Sequence, residues 1–263
     1  MLDPDDIHEA AHIAGKVYDD GMHPAVQEAG KTLALLPQVV NAMLAPLQIW
    51  IANKEYNVAE TKKLLEQKLS RVGAEHIVTP EAYVAVPAMQ AISYSMNSEE
   101  LRELYANLLA RSMVDTEKDK VHPAFVEIIK QMTPDEAKLI KFITATGMKD
   151  FPLIEINRVI NNQGAYLIDI RNFTSIAEGV CSNSSYTDIA GYLDNLCRLK
   201  IVEIPQGIRI AEDYIYEPLT NNTFIINLMN EKLPEGQHRE IVKRKFEITA
   251  FGQAFIDVCV KDL

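Results

Sequence analysis

"TPDEAKLIKFI", residues 133–143, is where the chain changes character. Thr133 is placed to cap a helix. Pro134 takes the first helical position, where its missing N–H costs nothing, and Glu136 stands where a capping box closes. The stretch predicts the start of a helix. Upstream of it, every periodic stretch reads as helix. Downstream, β-like runs appear: "FPLIEI" (151–156), "KIVEIP" (200–205), "YIYEPL" (214–219) and "RKFEIT" (244–249). Dividing the 263-residue chain here gives a helical domain over 1–132 and a mixed domain over 133–263. The expected fold class is mostly α: an N-terminal multi-helix domain followed by an α+β winged-helix-like domain.

The upstream helices can be placed from their signals. Helical stretches cover about 5–19, ending before Gly21, and 24–53. "VAETKKLLEQKLSRVG" (58–73) carries Leu64, Leu65, Leu69 and Val72 at helical spacing, with Gly73 as its expected C-terminal cap. "TPEAYVAVPAMQAISYSM" (79–96) has Thr79 as cap and Pro80 in the first turn, and Pro87 is expected to kink or split it. "NSEELRELYANLLARSM" (97–113) pairs Asn97 with Glu100 as a capping box, and Leu101, Leu104, Tyr105, Leu108 and Leu109 form its buried stripe. "HPAFVEIIKQM" (122–132) starts at Pro123 and turns Phe125, Ile128, Ile129 and Met132 inward.

Downstream, residues 187–200 form a helix with Ile189, Leu193, Leu196 and Leu199 or Cys197 on its core face. A final helix over 249–259 has Phe251, Phe255 and Val258 on one side. Helix, strand, loop, helix, strand, long excursion, strand, helix is the order of a winged-helix domain. Residues 205–242 would be an enlarged wing, and 157–186 would hold the second helix plus an insertion.

Charge restricts the partners. The net charge of −11 repels nucleic acid and anionic lipid unless basic residues cluster, and the best run is only Lys243, Arg244 and Lys245. The region 134–263 carries 14 basic and 18 acidic residues, a net −4. Its helix over 187–200 sets Asp188 and Asp194 against Arg198 and Lys200, a poor surface for phosphates. Nucleic acid is therefore not an expected partner, and protein docking or self-association through the second domain is. No basic, apolar leader precedes the first helix, and Cys181, Cys197 and Cys259 are scattered and odd in number, so a cytoplasmic protein with reduced thiols is expected.

One stretch spells chemistry. "HEAAH" (8–12) has the H-E-x-x-H pattern of zinc proteases, and Gly15 extends it. Only seven residues precede His8, too few for the strand a zincin lays over its helix, and Tyr18 stands where the third histidine belongs. Glu28 follows Pro24 in the next helix and is no ready third ligand. No metal site, cofactor or catalytic residue is assigned. There is no phosphate loop, G-x-S-x-G elbow or C-x-x-C, and the acid pairs Asp19–Asp20 and Glu99–Glu100 sit at helix ends, where they complement the dipole. His122 is read as a capping or packing residue. Asn107, inside an apolar helix, is read as satisfying a backbone group rather than facing a partner.

"TLALLPQVVNAMLAPLQIWIAN" (32–53) has no charge between Lys31 and Lys54 and is long enough to span a bilayer. Pro37 and Pro46 would kink it, and Gln38, Asn41 and Gln48 draw a thin polar stripe along one side. The reading preferred is a central helix with Leu33, Leu36, Val40, Leu44, Leu47 and Ile51 buried. Entry into membrane through residues 32–53, or a permanent partner groove, is the alternative.

"VPAMQAISYSMNSEELRELYANLLARSM" followed by "VHPAFVEIIKQMTPDEAKLI" resembles the abortive-infection alpha family of bacterial proteins, most clearly over about 75–142. The resemblance implies a role in phage defence, in which an infected cell halts growth or dies before phage mature. It implies no catalytic residue. His122, Pro123, Phe125 and Glu127 could form a surface, but their spacing equally suits a packed helix start, which is preferred. The expectation is a non-enzymatic defence protein acting through protein contacts or membrane disturbance, with a winged-helix DNA-binding regulator as the rival.

Overall fold

The computed structural model describes residues 37–42, 58–94, 98–160, 165–176, 180 and 185–263. The chain forms two compact units, one of Met1–Pro134 with Ala254–Leu263, the other of Asp135–Gln253. It is an α+β protein, rich in helix, with one four-stranded antiparallel sheet among the described residues.

In the first unit the described helices are α1 (Val58–Leu69), α2 (Ala82–Tyr94), α3 (Glu99–Ser112) and α4 (Ala124–Lys130). Residues 104–110 of α3 are all buried. Seven consecutive positions go right round a helix, so α3 is enclosed rather than laid on a core by one stripe. Ala106 and Ala110 keep its girth small enough for neighbours on every side, while Leu101 at its open start is half-buried. Its cap is Ser98, whose hydroxyl accepts from the Leu101 N–H at 3.3 Å and donates to Glu100 at 3.1 Å; the expected cap, Asn97, lies outside the described residues.

Helix α1 buries Leu65 and Leu69, with Leu64 and Val72 half-buried. It stops at Leu69, short of Gly73, because the Ser70 hydroxyl donates to the Gln67 carbonyl at 2.7 Å and competes with the ladder. Gly73 is extended, with φ −60° and ψ 138°, and leads into a 3₁₀ turn over Ala74–His76. Helix α2 continues through Pro87 unsplit, and begins at Ala82, after the proposed cap at Thr79. Helix α4 buries Phe125, Ile128 and Ile129, and Met132 beyond it is buried too, as the spacing predicts. Of the uncharged segment, residues 37–42 are helical, with Val39 and Val40 buried and Gln38 and Asn41 exposed. The other positions named on its apolar face and the "HEAAH" helix lie outside the described residues.

The second unit holds most of α5 (Pro134–Thr146), then β1 (Asp150–Ile160), β2 (Ala165–Phe173), α6 (Tyr186–Arg198), β3 (Val202–Glu203), α7 (Glu217–Thr220), α8 (Thr223–Asn230) and β4 (Gln237–Ile248). Helix α9 (Ala250–Phe255) runs into a π turn, Ile256–Val260, that belongs to the first unit. The sheet order is β2-β1-β4-β3, and β1 pairs with β4 along its whole length, from Asp150↔Glu247 to Ile160↔Gln237.

Two expectations are corrected here. Residues 165–173 are a strand, not part of a second helix: "AYLIDIRNF" folds back on β1 and buries Ile170 and Phe173. "YIYEPL" is helical rather than a strand. Tyr216 and Leu219, three apart, are both buried while Tyr214 is 67% exposed, which is helical and not two-residue periodicity. Pro218 in the first turn of α7 suits a helix start. The Tyr216 ring joins Ile154, Ile156, Ile170, Phe173, Leu219 and Ile225 in one core. Its hydroxyl accepts from the Ile210 N–H and donates to the Arg244 carbonyl, both at 2.8 Å. The excursion therefore spans 204–236 and is built of helix, with β4 starting at Gln237.

On α6, Ile189, Leu193, Leu196 and Leu199 are buried and Cys197 is half-buried. Ser185 and Asp188 form its capping box. In the C-terminal stretch Phe255 and Val258 are buried and Phe251 is half-buried. Gly252 sits where a Cβ would lie 1.9 Å from the Ile201 carbonyl oxygen, so only glycine lets α9 start there.

Candidate functional site

The stretches that carry the family resemblance converge on one cleft. Pro87 and Gln90 of α2, Leu101 and Tyr105 of α3, and Glu127 and Lys130 of α4 line a space of about 390 Å³. Spacings of three and four put each pair on one helix face. Pro87 brings no N–H, so the α2 ladder lacks a bond at that wall. The Tyr105 hydroxyl reaches the Val126 carbonyl at 3.5 Å, and burial, then the Glu127 carboxylate, raise its pKa, so it stays a neutral phenol. Glu127 pairs with Lys130 at 3.7 Å on the open rim. An apolar wall carrying an amide, a phenol and a paired rim suits a partner's side chain.

His122 is a cap: its Nδ1 accepts from the Ala124 N–H at 3.1 Å at the start of α4. Its ring lies 5.8 Å from Phe125, which meets Phe255 edge-on at 5.5 Å. Of the four matched residues around it, Phe125 is therefore core and Glu127 faces the cleft.

Asn107 does satisfy backbone, but at the far end of the chain. Its Nδ2 donates to the Cys259 carbonyl at 2.9 Å and lies 3.4 Å from that of Val260. One turn on, Arg111 donates to the carbonyls of Lys261 at 3.3 Å and Asp262 at 3.0 Å. A helix end leaves its last carbonyls without partners; here two side chains of α3 take them. The Asn107 Oδ1 has no hydrogen-bond partner among the described residues.

Arg111 also borders a second, shallower cleft of about 410 Å³, with Arg71, Val72, His76, Val114, Thr116 and Glu117. His76 Nδ1 lies 3.1 Å from Asp115 Oδ2, and that hydrogen bond raises the imidazole pKa. Glu117 is held below the usual carboxylate range, chiefly by Lys120 and also by Arg111. No sequence signal marks this group. His76 and Asp115 are brought together by the bridge of Ile77 with Val114, a pairing between distant segments.

In the second unit, Asp188, Asp194, Arg198 and Lys200 are all exposed on or just beyond α6. Asp188 is held acidic by Ser185, Asp194 accepts from Asn172 at 3.1 Å, and Arg198 donates to Asn195. On the sheet, Asp169 sits between Arg158 at 2.5 Å and Arg239 at 2.7 Å. Both contacts are structural ion pairs. Cys197 and Cys259 are free thiols; burial pushes Cys197 up to about 11 and Cys259 well above its ordinary value.

Among the described residues no cluster of His, Cys, Asp and Glu could hold a metal ion, and no helix is long and apolar enough to cross a membrane. The family model for abortive infection alpha matches residues 53–259. No curated protein and no solved structure matches the chain.

Proposed function

The chain belongs to the abortive infection alpha family, and we propose that it is a cytoplasmic phage-defence protein that acts through contacts with a protein partner or with itself, without catalysing a reaction. The match over residues 53–259 carries this reading. The cleft between α2, α3 and α4 supports docking, because its apolar wall and paired rim suit a partner's side chain. The second unit is read as winged-helix-like. The pairing of β1 with β4 and of β4 with β3 supports this reading, and β2 pairs on the other side of β1. The acidic balance of that region favours a docking or dimerising role over DNA. Membrane disturbance through residues 32–53 is the second reading, favoured by the uncharged run between Lys31 and Lys54.

Inducible expression followed by phage plating tests the defence reading: plating should fall, and unchanged plating rejects it. Leu101→Lys and Gln90→Arg, which crowd and charge the cleft, should keep the fold and lose protection. Full protection from both folded variants rejects docking at this cleft.

A further inference from the structure

Strand β2 lies at one side of the sheet. It pairs with β1 and with no other described strand, so its outer edge carries open backbone N–H and C=O groups. Residues 165–168 are exposed, four in a row. Three of them are large and apolar: Tyr166 is 57% exposed, Leu167 54% and Ile168 37%. Side chains alternate along a strand, so Tyr166 and Ile168 lie on one face, paired with Val159 and Asn157 of β1, and Leu167 lies on the other, paired with Arg158. Edge strands are usually blunted by lysine, proline, a bulge or an inward charge. β2 has neither lysine nor proline. Its bulge and its inward charge both sit at Asp169, where the register with β1 skips a residue and the carboxylate turns to Arg158 and Arg239. Beyond it, Asn172 is tied to Asp194 of α6. These devices guard the far half of the strand and leave 165–168 bare.

We infer that β2 pairs antiparallel with β2 of a second copy of this chain, about a two-fold axis at Leu167, so that two four-stranded sheets become one of eight. The segment is its own complement. In that register Leu167 faces its counterpart, Tyr166 faces the partner subunit's Ile168, and Ile168 faces the partner subunit's Tyr166. Every exposed apolar side chain of the stretch then meets another. Charge selects the same place. Two chains of net charge −11 repel each other, but residues 165–168 are uncharged, and Asp169 beside them is answered by two guanidinium groups. A charged strand from another protein would find no counter-charge along 165–168. One short strand per copy falls below the roughly 1,200 Å² of total area that stable interfaces bury, so the dimer is weak and concentration dependent. The inference names a surface for the self-association half of the proposed function and rests on that half.

The test is sedimentation velocity of the purified full chain between about 5 and 500 µM, the range in which a weak dimer forms. The parent should pass from monomer to dimer and stop there, because a two-fold pairing closes. Leu167→Lys sets two like charges face to face at an exposed position. It should melt like the parent and weaken the dimer about tenfold or more. Tyr214→Lys, at an exposed apolar position outside β2, should dimerise like the parent. Cross-linking reads the register. Leu167→Cys should give a disulfide-linked dimer on mild oxidation, because opposed residues lie about 4.5–5.5 Å apart, within disulfide reach. Tyr166→Cys should not, because its two copies are diagonal, about 7–8 Å apart. The parent, with its own thiols, is the control for both. A parent that stays monomeric throughout rejects self-association and this inference together. A dimer undiminished by Leu167→Lys, or equal cross-linking from the two cysteines, overturns the β2 pairing while self-association stands. None of these outcomes bears on phage plating or on the α2–α3–α4 cleft.

Discussion

Asn107 is the point at which the end of the chain is fastened, and replacing it tests that claim sharply. The side chain is 2% exposed, and its amide nitrogen serves the carbonyls of Cys259 and Val260. Asn107→Asp keeps the shape and removes the donor, turning a carboxylate oxygen toward two carbonyl oxygens in a dry place. Stranding a charge in this way costs about 3–5 kcal/mol. Asn107→Leu also removes the donor, but takes away the unpartnered Oδ1 as well, so its net cost is about 1–2 kcal/mol. With a urea slope of about 2 kcal/mol per molar, the aspartate variant should lower the unfolding midpoint by about 1.5–2.5 M. Its deficit should depend on pH. Burial raises the introduced carboxyl's folded-state pKa, so the deficit is small below the unfolded value, near pH 4, and grows as pH rises toward the folded value. Hydrogen exchange should quicken first at Lys261, whose N–H donates to the Ile256 carbonyl at 3.1 Å in the π turn. An aspartate variant within about 0.5 kcal/mol of the parent at neutral pH, with Lys261 exchange unchanged, would refute the reasoning.

Gly252→Ala should destabilise by about 2 kcal/mol or more, because the Ile201 carbonyl is backbone and cannot step aside; an unchanged melting temperature rejects the close approach. The His76 imidazole should titrate above its ordinary value and fall back toward it in Asp115→Asn, as read by NMR. The sign follows: the pair's stabilisation is complete at pH below the unfolded histidine value and disappears as pH rises through the raised folded value. Gln48→Lys should leave folding and protection intact if residues 32–53 serve protein packing. A charge at mid-bilayer costs about 2.5–3.5 kcal/mol, so a folded variant that no longer protects or depolarises cells would move the mechanism to the membrane.

Much of this fold is legible because apolar spacing is local. Phe125, Ile128 and Ile129 on α4, and Ile189, Leu193 and Leu196 on α6, are buried as their periods require. The misreadings have physical causes. A hydroxyl at Ser70 ends α1 before the glycine that looked like its cap. "AYLIDIRNF" carries apolar residues on both faces over Tyr166–Ile168, so no clean alternation announces a strand, and its strand character comes from antiparallel pairing with β1. "YIYEPL" has the composition of a strand and the burial of a helix, because a core residue is wanted at Tyr216 and again at Leu219. The second cleft was illegible for a different reason. Its histidine and aspartate belong to segments joined only by tertiary pairing, and no short motif encodes that.

Helix α3 carries a signal for the tether to the C-terminal turn in its own sequence. Apolar enclosure from 104 to 110 makes any polar side chain there conspicuous, and Asn107 and Arg111 are one turn apart on one face. A polar pair on a buried face implies a backbone acceptor at the same depth. The carbonyls least able to pair within their own element are those at a helix end. Tyr105 and Arg111 are about 240° apart around the helix, so one element lines the two clefts from different sides while its Asn107 holds the C-terminal turn. Loosening that turn with Asn107→Asp must therefore free Arg111 from the Lys261 and Asp262 carbonyls while leaving Tyr105 where it is. Phage protection should then fall only in proportion to the fraction unfolded, because the α2–α3–α4 cleft proposed for docking is untouched, and a loss of protection beyond that fraction refutes the separation.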